Sequence, residues 1–307
     1  MRLAAVIAAI ALGACAAAAP APAQQTSNTG TPQTGTPAHS PSAAPTTLTL
    51  RCAGAFVQGG MGLCRTLPGA AMSIDGVASG AADENGWALI GFTREHPASA
   101  RIEASAGGRT VTQDFAIQPR VFTTQAVNGL PQDTVTPPQT PEVQARIARE
   151  FAEKQQGFAS FAPMEGWLDG FEIPVQGVNT GPWGNARVLN GREAPPHFGY
   201  DIAAPEGTPI HAPASGVVTL AEPDMFYEGG LVFIDHGQGL ITMYLHMSRV
   251  DVHVGDRVTQ GQVLGAVGHR GRATGPHLCW RMKWRDRQLD PSEAIPGLAA
   301  AREQLGQ

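Results

Sequence analysis

The stretch Gly275–Trp284, GPHLCWRMKW, decides the fold of the second half of this chain. Side chains on a strand alternate between faces, so His277, Cys279, Arg281 and Lys283 share one face and Leu278, Trp280, Met282 and Trp284 the other. The second set marks a strand laid on an apolar core. The first sets a histidine and a thiol side by side, and Cys279 is open to three readings: a metal ligand, a nucleophile, or a small buried residue. Around this strand, residues 166–296 carry short apolar runs between glycines, such as SGVVTLA, GGLVFIDHG, LITMYLHM and QVLGAVG. No long helical period appears. The pattern predicts an antiparallel sheet, folded on itself or closed into a partial barrel.

Seven of the nine histidines fall in or beside this region: His197, His211, His236, His246, His253, His269 and His277. His197 and Asp201 stand in PPHFGYDIAAPEGTP, where proline and glycine forbid a stable helix. In an extended chain residues i and i+4 share a face, so imidazole and carboxylate converge. Both are zinc ligands, and a strand carrying His277 and Cys279 would add the mixed nitrogen and sulfur donors that zinc accepts. YLHMS supplies a further histidine, His246.

Four blocks in this order, HFGYDIAAPEGTPIHAPASGVV, GGLVFIDHGQGLITMYLHMS, VHVGDRVTQGQVLGAVGHRGRATGPHLCW and LDPSEAI, resemble the M23 peptidase family, also called lysostaphin-like or LytM, over most of residues 172–296. The resemblance implies a zinc endopeptidase that cuts peptide cross-links of bacterial peptidoglycan. It implies His197 and Asp201 as metal ligands and His246 and His277 as the histidines that assist the reaction. Cys279 stands where the family usually has its third ligand histidine, and we expect it to bind Zn2+ as thiolate. A set of His, Asp and thiolate carries two negative charges and cancels the +2 of zinc, which weakens it as a Lewis acid. The departure also supports a second reading, a degenerate relative that binds wall or activates a partner amidase. VHVGDRVTQGQVLGAVG resembles half of a biotinyl or lipoyl carrier too, but no lysine sits in a suitable turn. In GHRGRATG, Arg270 or Arg272 could meet peptide carboxylates or be ordinary surface residues.

The net charge of -5 supplies no field for a polyanion, which argues against nucleic acid as a partner. Residues 1–23 form an export signal, with Arg2 ahead of an apolar run too short and alanine-rich to stay in a bilayer. Ala21-Pro22-Ala23 fits a cleavage site, whereas Leu12-Gly13-Ala14-Cys15 resembles a lipobox that would acylate Cys15, the only route to a membrane anchor. Both place the chain in the periplasm or cell envelope. In that oxidising compartment Cys52 and Cys64 are expected to pair, contributing about 3 kcal/mol.

The remaining chain divides by composition. Residues 24–45 are a Pro/Thr/Ser-rich tether, 46–120 a small β-sandwich, 121–165 a linker, 166–296 the peptidase-like domain and 297–307 a C-terminal tail. The linker helix is predicted at about 141–157, capped by Thr140, started by Pro141 and closed by Gly157. Its apolar stripe is Val143, Ile147 and Phe151, and Glu150 and Lys154 pair on its surface. The fold class is therefore mostly β: an N-terminal sandwich joined through a helix to an antiparallel LytM-type domain. The partners expected are peptidoglycan peptide stems and, in the second reading, another cell-wall hydrolase.

Overall fold

Glycine-punctuated Val, Ile and Leu runs build one eight-stranded sheet in a computed structural model that describes residues 44–168 and 170–306. The expected export segment and most of the tether lie outside the described residues. The strand order is Arg257–Val258, Gly216–Met225, Gly229–Asp235, Leu240–Met247, His277–Trp284, Gly199–Ala203 and Val178–Gly181, with Arg287–Leu289 paired to the end of His277–Trp284. The sheet is open and no barrel closes. The alternation expected of His277–Trp284 holds. Leu278, Trp280, Met282 and Trp284 are buried in the large core, whereas Cys279 belongs to a smaller cluster on the opposite face with Leu245, Phe233 and Met243.

Upstream, Leu50–Gly54, Met61–Thr66 and Trp87–Gly91 form a three-stranded sheet, and Val77–Ala81, Ala71–Ile74, Ser99–Ala106 and Arg109–Ala116 a four-stranded one. Cys52 lies opposite Cys64 in register, and the two are joined as a disulfide. The strand Thr124–Val127 leaves this lobe and pairs in parallel with Ala186–Leu189, so the linker reaches the far lobe before the helix begins.

Helix Pro141–Phe158 starts as expected, with Thr140 Oγ1 accepting a hydrogen bond from the Val143 N–H. Its packing face differs in part, since Val143 and Ile147 of the expected stripe are half-buried but Phe151 is not. Phe151 is 59% exposed, and the helix docks through Glu150, Lys154 and Gly157 instead. Glu150 accepts from Arg146 (2.6 Å) and from the Phe226 backbone N–H (2.8 Å), and Lys154 donates to Glu228 (2.6 Å), so Glu150 and Lys154 do not pair with each other. A Cβ on Gly157 would lie 3.0 Å from the Phe233 ring, so this glycine permits close approach to the sheet rather than ending the helix. The polar groups are used because the β-hairpin beneath offers an unpaired N–H and a carboxylate, which no apolar stripe can satisfy.

Residues 297–307, expected as a tail, carry the last turns of helix Pro291–Leu305. Buried Asp290 caps it, accepting from the Ser292 N–H (2.9 Å), and ion-pairs with Arg120 (2.9 Å). Ala294, Leu298, Ala301 and Leu305 are buried, and the helix packs on Leu50–Gly54 and Met61–Thr66. Both ends of the described chain thus share one core.

His236 is fully buried between the Ser215 carbonyl (2.8 Å) and Thr242 Oγ1 (2.7 Å), and burial pushes its pKa down to about 4. The unfolded chain therefore takes up a proton near pH 6.5 that the folded chain refuses until about 4. The stabilisation from His236 is complete above the unfolded value and is lost as pH falls toward 4, amounting to about 3 kcal/mol. Urea unfolding across this window should show a shallower pH slope for His236→Asn than for the parent. Parallel profiles would refute the assignment.

Candidate metal centre

Strand pairing brings the distant segments together. His277–Trp284 runs between Gly199–Ala203 and Leu240–Met247, placing Cys279 opposite Asp201 on one side and Leu245 on the other. His197 sits just before its strand, its N–H donating to the Asn185 carbonyl at 2.8 Å. Its Nε2 lies 3.2 Å from Asp201 Oδ1 and 3.5 Å from Cys279 Sγ. Gly199 makes this approach feasible, because a Cβ there would stand 2.5 Å from the sulfur and 2.8 Å from the imidazole nitrogen. One donor atom from each of His197, Asp201 and Cys279 lies within 4.8 Å of the others, and all three residues are buried.

The donor set fits a zinc ion: one nitrogen, one oxygen and one sulfur, as expected of a three-ligand catalytic site. Asp201 Oδ1 is buried without a hydrogen-bond donor, facing His197 Nε2 and, at 3.9 Å, His277 Nε2. Such an oxygen is costly unless a cation meets it. Burial works to raise the Asp201 carboxyl, but His197, then His277 and Arg187, overturn this and hold it well below the usual carboxylate range. Arg187 Nη2 donates to Oδ2 at 3.0 Å, which fixes the carboxylate and leaves Oδ1 toward the cluster. Burial, then the Asp201 charge, pushes the Cys279 thiol up to about 12, while Arg281 Nε, 3.4 Å from the sulfur, pulls the other way.

His246 and His277 stand beside this cluster with ring centroids 4.8 Å apart. His246 Nδ1 is 2.8 Å from the Arg270 carbonyl and His277 Nδ1 is 2.8 Å from the Gly275 carbonyl. A carbonyl only accepts, so both Nδ1 atoms carry a proton, and in the neutral ring it is Nε2 that holds the lone pair. Burial, then His277, pushes His246 down to about 3, keeping it neutral. His246 also adopts φ 67, a left-handed conformation that costs a non-glycine residue roughly 1–3 kcal/mol. Its N–H donating to the Glu228 carbonyl (2.7 Å) and its ring bond to Arg270 hold it there.

All five residues singled out in the sequence, His197, Asp201, His246, His277 and Cys279, line one groove of about 530 Å³. His236 is elsewhere, and His253 and His269 are exposed, the latter paired with Glu206. Sequence reasoning missed Arg187 and Gly199. Arg187 reaches Asp201 from a different sheet, for which periodicity gives no signal. Gly199 was legible as a strand glycine, a common mark of close approach.

Residues 195–291 match the model of Peptidase family M23. The chain is 39% identical over 106 residues to the peptidoglycan DD-endopeptidase ShyA of Vibrio cholerae serotype O1, covering 34% of this chain and 24% of that protein. It is 49% identical over 82 residues to ShyC of the same organism, also a peptidoglycan DD-endopeptidase, covering 27% of this chain and 19% of that one. The chain thus spans less than a quarter of the length of either relative. A crystal structure from Pseudomonas aeruginosa assigned to peptidase M23 is 33% identical, with a TM-score of 0.59, covering 78% of this chain and 95% of that one. That likeness extends well beyond residues 195–291 and takes in more than the lobe bearing the cluster.

Proposed function

The chain belongs to peptidase family M23, and from that premise we propose that it is a zinc-dependent endopeptidase that hydrolyses peptide cross-links of bacterial peptidoglycan. His197, Asp201 and Cys279 are the metal ligands, and His246 and His277 do the proton work. The observation that carries this reading is the convergence of nitrogen, oxygen and sulfur donors beside two histidines of fixed tautomer. The named activity of the two Vibrio relatives supports peptidoglycan as the substrate.

Zinc held by these ligands supplies Lewis acidity toward the scissile carbonyl and the attacking water. The His246 and His277 Nε2 lone pairs accept from that water and orient it. His277 takes the proton, because an imidazolium there faces the Asp201 carboxylate at 3.9 Å. It then delivers the proton to the leaving amine. His246 resists protonation and stays an acceptor throughout. In this reading residues 1–23 export the chain to the periplasm or envelope, where 166–296 acts as the hydrolytic domain and 46–120 as an accessory one. Among the described residues, no helix is long and apolar enough to cross a membrane.

One observation favours the non-catalytic alternative, wall binding or amidase activation: the thiol that replaces the third histidine is buried and pushed up to about 12. Purified sacculi separate the two. The zinc-loaded chain should release uncross-linked muropeptides, a chelator should lower that rate about 100-fold or more, and zinc should restore it. Zinc-loaded protein that sediments with sacculi yet releases nothing would overturn the hydrolase and favour the binder.

A further inference from the structure

One charge lining the groove has no ion-pair partner among the described residues. Arg187 is taken by Asp201 at 3.0 Å, and Glu228 by Lys154 at 2.6 Å. Arg281 faces the Cys279 sulfur and the charges of Glu228 and Asp201, so Arg272 is the lining guanidinium left without an ion pair. Arg281 Nε points at the Cys279 sulfur. Among the described residues, the Arg272 guanidinium makes no ion pair, and it lies over the face of Tyr227, 5.1 Å from the ring centroid. Burial first, then the like charge of Arg281, lowers the Arg272 pKa. Glu228 offsets this only in part, and an anion bound at Arg272 relieves both the burial and the like charge.

Arg272 is held in place by its loop. Its N–H donates to the Tyr227 carbonyl at 2.8 Å, and Gly271, at φ 74, lies so close to the Tyr227 carbonyl that a Cβ would collide with it. The same loop gives the Arg270 carbonyl that fixes the His246 tautomer. Arg270 itself is exposed, its guanidinium donating to the Pro223 carbonyl at 3.3 Å, and does not line the groove. Of the two arginines in GHRGRATG, the second is therefore the one turned to the groove.

We infer that Arg272, stacked on Tyr227 in the same groove as the donor cluster, forms an anion subsite that binds a free carboxylate of the peptide substrate beside the scissile bond. This rests on the peptidoglycan reading above and adds a substrate requirement to it. In a bond between two amino-acid centres, the carbon bearing the leaving amine also bears a carboxyl group, and a free carboxylate there is close enough to share the groove. A planar guanidinium matches it with two hydrogen bonds.

The test uses two cross-linked muropeptide dimers that differ only in that carboxyl group, free in one and a primary amide in the other. We would measure kcat/KM with zinc-loaded protein and binding by calorimetry with chelator-treated protein, for the parent, Arg272→Gln and Arg272→Lys. The parent should prefer the acid about 10- to 100-fold in both assays. Arg272→Gln should collapse that preference below about threefold, and Arg272→Lys should retain part of it. A parent that treats both dimers alike, or an Arg272→Gln variant that keeps the preference, overturns the subsite while leaving the hydrolase standing if cleavage proceeds. If nothing is cleaved but calorimetry shows the preference and its loss in Arg272→Gln, the subsite stands and the hydrolase falls.

Discussion

Asp201→Asn is expected to lower zinc affinity about 100-fold and peptidoglycan hydrolysis about 1000-fold or more, with the fold retained. The side chain keeps its shape, so the effect comes from charge and from orientation. Arg187 Nη2 donates to Oδ2 at 3.0 Å. An amide must turn its oxygen to that donor, because an NH2 group there would meet another N–H. The amide nitrogen is then forced toward His197 Nε2 and the Cys279 sulfur, where a donor cannot bind a cation. One ligand of three is lost and the centre gains a unit of positive charge. Arg187 keeps a hydrogen bond but loses its counter-charge, which should cost roughly 1–3 kcal/mol of stability. Competition with a chromophoric chelator measures the affinity, muropeptide release the rate, and thermal melting the fold. An Asp201→Asn protein that holds zinc within tenfold of the parent would remove Asp201 from the ligand set.

What the sequence disclosed of this site depended on how local the determining pattern was. The two-residue alternation from His277 to Trp284 fixes which side chains meet the core, and the structure places Leu278 and Trp280 there and Cys279 on the opposite face. The same regularity set His197 and Asp201 on one side of the chain. Arg187 was not visible, because its contact with Asp201 joins strands of two different sheets and follows no repeat. Helix Pro141–Phe158 shows the same limit. Its cap and first turn are local and were legible, but its buried face is chosen by Phe226, Glu228 and Phe233 beneath it, and Phe151 is left exposed. Helix Pro291–Leu305 was hidden by Pro296, which interrupts the helical pattern only a few residues after the Asp290 cap. The parallel pairing of Thr124–Val127 with Ala186–Leu189 joins segments far apart in the chain and leaves no mark in either alone.

Cys279→Ala and Cys279→His are expected to move the centre in opposite directions. Removing the sulfur takes away a ligand that stands 3.5 Å from His197 Nε2, and zinc affinity should fall about 100-fold. Cobalt(II) substitution reports the bond itself: sulfur ligation gives a thiolate-to-metal charge-transfer absorption, which the parent should show and Cys279→Ala should lack. Cys279→His replaces an anionic donor by a neutral one and raises the charge of the centre by one unit. The metal then polarises carbonyl and water more strongly, and turnover should rise about tenfold. The opposing term is volume. Gly199 already leaves no room for a Cβ against the sulfur, so an imidazole must lean toward the groove, and overpacking should cost about 1–3 kcal/mol in melting experiments. Arg281 offers a second check, because its Nε donates toward the sulfur at 3.4 Å and tempers the thiolate charge in the parent. Beside a neutral imidazole it has nothing to temper, so Arg281→Gln should change zinc affinity more in the parent than in Cys279→His. Equal zinc affinity and equal rate in the parent and Cys279→Ala would reduce the thiol to a packing residue. A parent that takes no zinc while Cys279→His does would assign this chain to the wall-binding branch of its family.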